Sequence, residues 1–107
     1  MAWGNKEREW KKLVADIQSE IDANVGIIPP ERLNDIQHYL DHDEYSMAFE
    51  YLYLEVMEHA NARFILGPDK AREMAIFFDL DDENECVIDH EFWPKFEAFL
   101  NAQKNTS

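Results

Sequence analysis

Cysteine, glycine and proline are scarce in this sequence, with one, three and four residues among 107. The single thiol, Cys86, has no partner for an internal disulfide, which excludes a stapled secreted scaffold and leads to the expectation of a reducing, cytoplasmic compartment. Three isolated glycines exclude a phosphate-cradling loop. No run approaches the roughly 18 consecutive apolar residues of a membrane span, and residues 1–12 contain no apolar signal-peptide core, so neither membrane insertion nor export is expected. Basic residues are few as well. Ten Lys and Arg stand against 23 Asp and Glu, a net charge of −13, well past the magnitude of about 2–8 that keeps a small domain in solution. Phosphate contacts need clusters of Lys and Arg, so direct nucleic-acid binding is not expected either.

What is present suffices for one folded domain. Apolar residues make up 46% and aromatics 13% of the chain, and disordered acidic segments are poor in aromatics. The apolar spacing predicts an all-α fold: a single-domain bundle of about five helices over residues 1–107. Trp10, Leu13, Val14, Ile17 and Ile21 recur at three- and four-residue steps, which predicts a first helix over Asn5 to Ala23, ended by Asn24, Gly26 and Pro29-Pro30. Pro30 suits the first position of a short second helix, with Leu33, Ile36 and Leu40 on one stripe as far as Asp41. In Asp41-His42-Asp43-Glu44, Asp41 and Glu44 have capping-box spacing and Asp43 is the other N-cap candidate. A third helix follows, from about Glu44 to about Ala62, apolar on several sides. Such a helix is expected at the centre of the bundle, and it also leaves a homodimer open.

Gly67-Pro68 resets the chain for a fourth helix through Phe78. Residues 79–91 hold seven acids, no Lys or Arg and no helical periodicity, so a loop is expected there with Cys86-Val87-Ile88 tucked inward. Phe92, Trp93, Phe96, Phe99 and Leu100 predict a last helix. Pro94 is awkward in its interior and is a candidate for its first residue. The polar tail, residues 101–107, is expected to fray.

Charge is uneven along the chain: +2 over residues 1–12, −10 over 13–62, +1 over 63–78, −7 over 79–91 and +1 over 92–107. Any one carboxylate on a solvated face needs no special explanation. Two such blocks interrupted by Arg32 alone repel themselves, and a basic partner would relieve that repulsion and be steered by it.

Chemistry finds little support. Ser19, Ser46, Thr106, Ser107 and Cys86 sit in no nucleophile motif, and a thiol among carboxylates has a raised pKa. Asp79, Asp81 and Glu83 start like a calcium loop, but Asn84 stands where that loop needs Gly and His90 where it needs Glu. Asp35, His38, Glu55, Glu58 and His59 could face one another across helices, yet the Glu-x-x-His pairs of bundle metal sites are missing. No enzyme, metal or cofactor is expected.

The segment Leu33 to Glu58 resembles the central region of small bacterial immunity proteins of the MafI type, whose relatives protect against contact-dependent growth-inhibition toxins. Glu44-Tyr45, Ala48-Phe49-Glu50 and Leu52 carry the likeness. The resemblance implies a helical, non-catalytic protein that neutralises a toxin domain, commonly a nuclease acting on tRNA or DNA. Asp41, Asp43, Glu44, Tyr45 and Glu50 are then the candidate partner-binding residues of that segment. The acids of the loop, Asp79, Asp81, Asp82, Glu83, Glu85, Asp89 and Glu91, form the second candidate group. The alternative is an acidic DNA mimic or chaperone-like adaptor serving other basic partners.

Overall fold

The computed structural model describes residues 2–105, with side-chain environments from Trp10 to Lys104. Five α-helices follow one another: α1 (Ala2–Ala23), α2 (Pro30–Asp41), α3 (Tyr45–Glu58), α4 (Pro68–Phe77) and α5 (Phe92–Asn105), with a single 3-10 turn at Glu83–Glu85. No strand occurs among the described residues. The helices enclose one core, as the apolar spacing predicts.

α3 is the central element, in contact with α1, α2 and α5. Ala48, Phe49, Leu52, Tyr53 and Val56 are buried on it, while Tyr51, Leu54 and Met57 are half-buried against the same core. Its apolar residues on several sides are thus met by neighbouring helices of the same chain. Phe49 and Tyr53 meet Phe96 of α5 with ring centroids 5.9 and 5.6 Å apart, and Phe92 stacks on Phe96 at 5.0 Å. Edge-to-face and offset contacts of this kind add roughly 0.5–1.5 kcal/mol per pair beyond area burial.

The helix ends depart from expectation in instructive ways. No capping box forms at α3: Asp41 is the last residue of α2, and Glu44 precedes α3 without a side-chain cap. Instead α2 closes with a Schellman motif, in which Glu44 N–H donates to Tyr39 O (2.9 Å) and Asp43 N–H to Leu40 O (3.3 Å). Asp43 takes the left-handed position, φ 63°. α4 closes identically through Leu80 N–H to Ala75 O and Asp79 N–H to Ile76 O, both 2.9 Å, with Asp79 at φ 62°. Leu80 is driven into the core by that turn, with no exposed surface.

α3 ends at Glu58, short of the expected Ala62, because α1 supplies better partners for the following backbone. Asn24, fully buried, accepts from Arg63 N–H (2.8 Å) and donates to Arg63 O (3.1 Å). Glu20, also fully buried, accepts from Ile65 N–H (2.8 Å) and from the Tyr53 hydroxyl. Burial, reinforced by the Glu20 charge, raises the Tyr53 pKa well above its ordinary value. α5 begins at Phe92, so Pro94 falls in the first turn, where its missing N–H would have had no helical partner. The helix continues to Asn105, and Lys104 pairs with Asp69 at 2.9 Å. Residues 101–105 of the tail are therefore helical; 106 and 107 lie outside the described residues.

An L-residue in the left-handed region carries a steric cost that glycine avoids, smaller for Asp than for most. Asp79→Gly should accordingly raise stability to urea by roughly 0.5–1 kcal/mol, and Asp79→Val, β-branched, should lower it by at least about 1 kcal/mol. Equal midpoints for both variants would show that the turn imposes no such cost.

Candidate partner-binding site

The acidic loop between α4 and α5 has no regular structure beyond one turn, yet its backbone is fastened at close intervals. Asp82 accepts from Asn84 N–H at 2.9 Å and so starts the 3-10 turn. Leu80 and Cys86 anchor the loop in the core, and the Cys86 thiol donates to Leu80 O at 3.3 Å. Beyond Cys86 the anchor is Glu50 of α3. Its carboxylate, 1% exposed, accepts from Val87 N–H (3.0 Å), Ile88 N–H (3.1 Å) and Asp89 N–H (2.7 Å). Asp89 then accepts from Glu91 N–H (2.9 Å) and from Lys95 Nζ (2.7 Å). The Lys95 hydrogen bond, followed by the Glu91 N–H, holds the Asp89 carboxyl below its ordinary pKa. That contribution to stability is present above the ordinary Asp range, near 3.9, and is lost as pH falls through the depressed value.

The outer surface of this locked loop is acidic with an apolar point. Asp79, Asp81, Asp82, Glu83, Glu85 and Glu91 are exposed. Val87 is 64% and Ile88 40% exposed. The expectation that Cys86-Val87-Ile88 turns inward holds for Cys86 alone, because the N–H groups of Val87 and Ile88 face Glu50 and their side chains point away.

Part of the first acidic candidate group reaches Phe78, at the start of the loop. Asp43, Glu44, Tyr45 and Met47 line one shallow depression with Trp10 and Phe78, the residue before Asp79. Asp41, Asp43 and Glu44 are exposed. Tyr45 is half-buried: its ring packs on Trp10 at 5.0 Å and its hydroxyl donates to Asp43 at 2.9 Å. Glu50, expected among the partner-binding residues, faces inward, and both its oxygens are occupied by loop backbone. It serves the surface only by shaping it. Asp89 is half-buried and paired.

On the other side of Ile88 the loop borders an open groove of about 1030 Å³, walled by Tyr51, Leu54 and Phe99 and carrying Arg32, Glu58 and Lys95. Arg32 reaches both oxygens of Glu55 at 3.0 Å and stands 3.7 Å from Glu58. His59 also touches Glu55, at 3.2 Å. With Glu55 held in this way, the acid and histidine residues of α2 and α3 do not converge on an ion. Among the described residues no group of three His, Cys, Asp or Glu could hold a metal, and no helix is long and apolar enough to cross a membrane.

Sequence reasoning missed Val87, Ile88 and the cations of the groove. The signal for the first two was an aliphatic pair inside a loop with seven acids among its thirteen residues, which an exposed apolar contact explains as well as a buried one. Comparison of the chain with family models, curated proteins and solved structures finds no match.

Two outcomes test this geometry. Glu50→Gln turns one acceptor into a donor facing backbone N–H groups, so it should cost roughly 2–3 kcal/mol of stability. It should also speed amide exchange at Val87–Asp89, whereas Glu44→Gln should stay within about 0.5 kcal/mol of the parent. Burial, then the charges of Glu50 and Asp89, pushes the Cys86 thiol up to about 11. The native protein should thus react with a disulfide reagent at pH 7 only at the rate of its unfolding, and prompt labelling would show an open loop.

Proposed function

We propose that this chain is an immunity protein that binds a basic toxin domain, a nuclease, and occludes its nucleic-acid site without doing chemistry of its own. The carrying observation is the locked acidic loop. Glu50 fixes its backbone from inside, so Asp81, Asp82, Glu83, Glu85 and Glu91 are presented in a set arrangement around exposed Val87 and Ile88. Preorganised carboxylates pair with Lys and Arg at a lower ordering cost than a flexible tail would, and a desolvated aliphatic contact holds the complex once formed. Nucleases keep their cationic side chains in a groove that receives phosphates, and an exposed acidic loop suits such a groove in sign. The resemblance of Leu33 to Glu58 to MafI-type immunity proteins points the same way, and that segment spans α2, its Schellman turn and α3. The site of action in this reading is the cytoplasm, where a nuclease toxin meets its substrate.

Co-expression with a toxin domain encoded immediately upstream of this chain, if one exists, followed by pull-down and salt titration, tests the proposal. A protected culture and a complex that weakens as salt rises are expected. Within that complex, Asp82→Asn with Glu83→Gln should slow association at low salt by up to about tenfold. Val87→Ala and Ile88→Ala should instead speed dissociation, each by about tenfold. No protection and no complex would overturn immunity. Capture of several unrelated basic proteins with similar affinity would assign the chain to the acidic mimics or adaptors.

A further inference from the structure

The end of α2 carries a pair of side chains that the acidic loop does not use. His38 and His42 stand one helical turn apart, and a backbone hydrogen bond from His42 N–H to His38 O at 3.1 Å fixes that spacing. Their exposed imidazoles lie against each other, with ring centroids 4.2 Å apart and planes inclined by 49°. The other two histidines are engaged elsewhere: His59 touches Glu55 at 3.2 Å, and His90 Nδ1 lies 2.9 Å from Glu83 O. The rings of His38 and His42 have no hydrogen-bond partner among the described residues. Their nitrogens are left to solvent or to a ligand.

Two histidines at i and i+4 on one helix face are an arrangement by which helices chelate metal ions, because the spacing sets an imidazole nitrogen of each on one side of a single ion. Metal–nitrogen bonds of about 2.0–2.1 Å place the centres of two imidazoles that share an ion about 4.5–5 Å apart. The rings at 4.2 Å reach that spacing by a small side-chain rotation. Imidazole suits Cu²⁺, Ni²⁺ and Zn²⁺, whereas Ca²⁺ and Mg²⁺ take oxygen ligands. Two neighbouring nitrogens completed by water suit the tetragonal geometry of Cu²⁺, which also heads the affinity order for such donors. Asp41 and Asp43, the exposed chain neighbours of His42, add a field that attracts any cation. No third protein ligand joins the pair, since no group of three His, Cys, Asp or Glu among the described residues could hold an ion. The ion therefore keeps open positions and exchanges, unlike the ion of a closed structural zinc centre.

We propose that His38 and His42 form a two-nitrogen surface site for a divalent late transition ion, with Cu²⁺ bound most tightly. Half the ligands of a structural zinc site place the dissociation constant on the order of 1–100 µM. The ion joins the same two residues as the backbone hydrogen bond, so it clips the last turn of α2 to the segment that leads into α3. The site is independent of the immunity reading, because it involves neither the acidic loop nor a protein partner.

Titration of the whole chain with copper(II) chloride in a non-coordinating buffer, read by electron paramagnetic resonance, tests this. One equivalent bound through two equatorial nitrogens is expected. His38→Ala and His42→Ala should each weaken binding at least about tenfold, and both side chains are exposed, so both variants keep the fold. The double variant His59→Ala with His90→Ala should leave the affinity unchanged. Diamagnetic Zn²⁺ should slow amide exchange at His42 and Asp43, and an excess of Mg²⁺ should not. Binding that persists in both single alanine variants overturns the proposal, as does a spectrum with one nitrogen ligand. A dissociation constant above about 1 mM overturns it as well.

Discussion

A carboxylate buried at the centre of an acidic protein holds the surface most exposed to solvent in its shape. Glu50 sits on α3 among Phe49, Leu52 and Tyr53 and takes three consecutive backbone N–H groups from the loop that precedes α5. An irregular segment has no neighbouring turn or strand to satisfy its amides, and an amide left unpaired away from water costs about 1–3 kcal/mol. A single ionisable side chain resolves three such amides together. The consequence runs outward: with the N–H groups of Val87 and Ile88 directed at Glu50, their side chains point to solvent, and the carboxylates on either side are spaced by a defined backbone.

Glu20 does the same work on the other long connection. It faces α3 and the loop after it, accepting from Tyr53 and from Ile65 N–H, while Asn24 one turn later brackets Arg63. Both carboxylates have donors as their partners, and each joins a helix to a loop distant in sequence. Such groups contribute less to net stability than their hydrogen bonds suggest, because desolvation opposes them. Their effect lies in excluding alternatives: a different loop path would strand a buried charge. Two long irregular connections thereby acquire single conformations.

The exposed acids belong to two segments of the chain. Asp43 and Glu44 of the α2–α3 turn share a shallow depression with Phe78, the residue before the acidic loop. The acids of the loop itself, Asp79, Asp81, Asp82, Glu83, Glu85 and Glu91, are exposed, while Asp89 is half-buried and paired with Lys95.

Helix number, helix order and the central position of α3 were legible in the sequence, because apolar spacing reports local geometry and a helix apolar on several sides must be surrounded. Pro30 and Pro68 marked their helix starts for the same local reason. The ends were less legible. Asp43 and Asp79 read as caps or contact residues, but whether a helix stops through a side chain or through a left-handed turn depends on where the chain must go next. The roles of the acids were decided by tertiary structure alone. Glu20, Glu50 and Glu55 are indistinguishable in sequence from Glu44 and Glu83, and the first three are buried while the others are exposed. Composition set the sign and size of the charge. Only packing between segments distant in the chain determined which carboxylates hold the fold and which face outward, since the partners that make burial tolerable are loop amides for Glu20 and Glu50, with the Tyr53 hydroxyl, and the Arg32 guanidinium for Glu55.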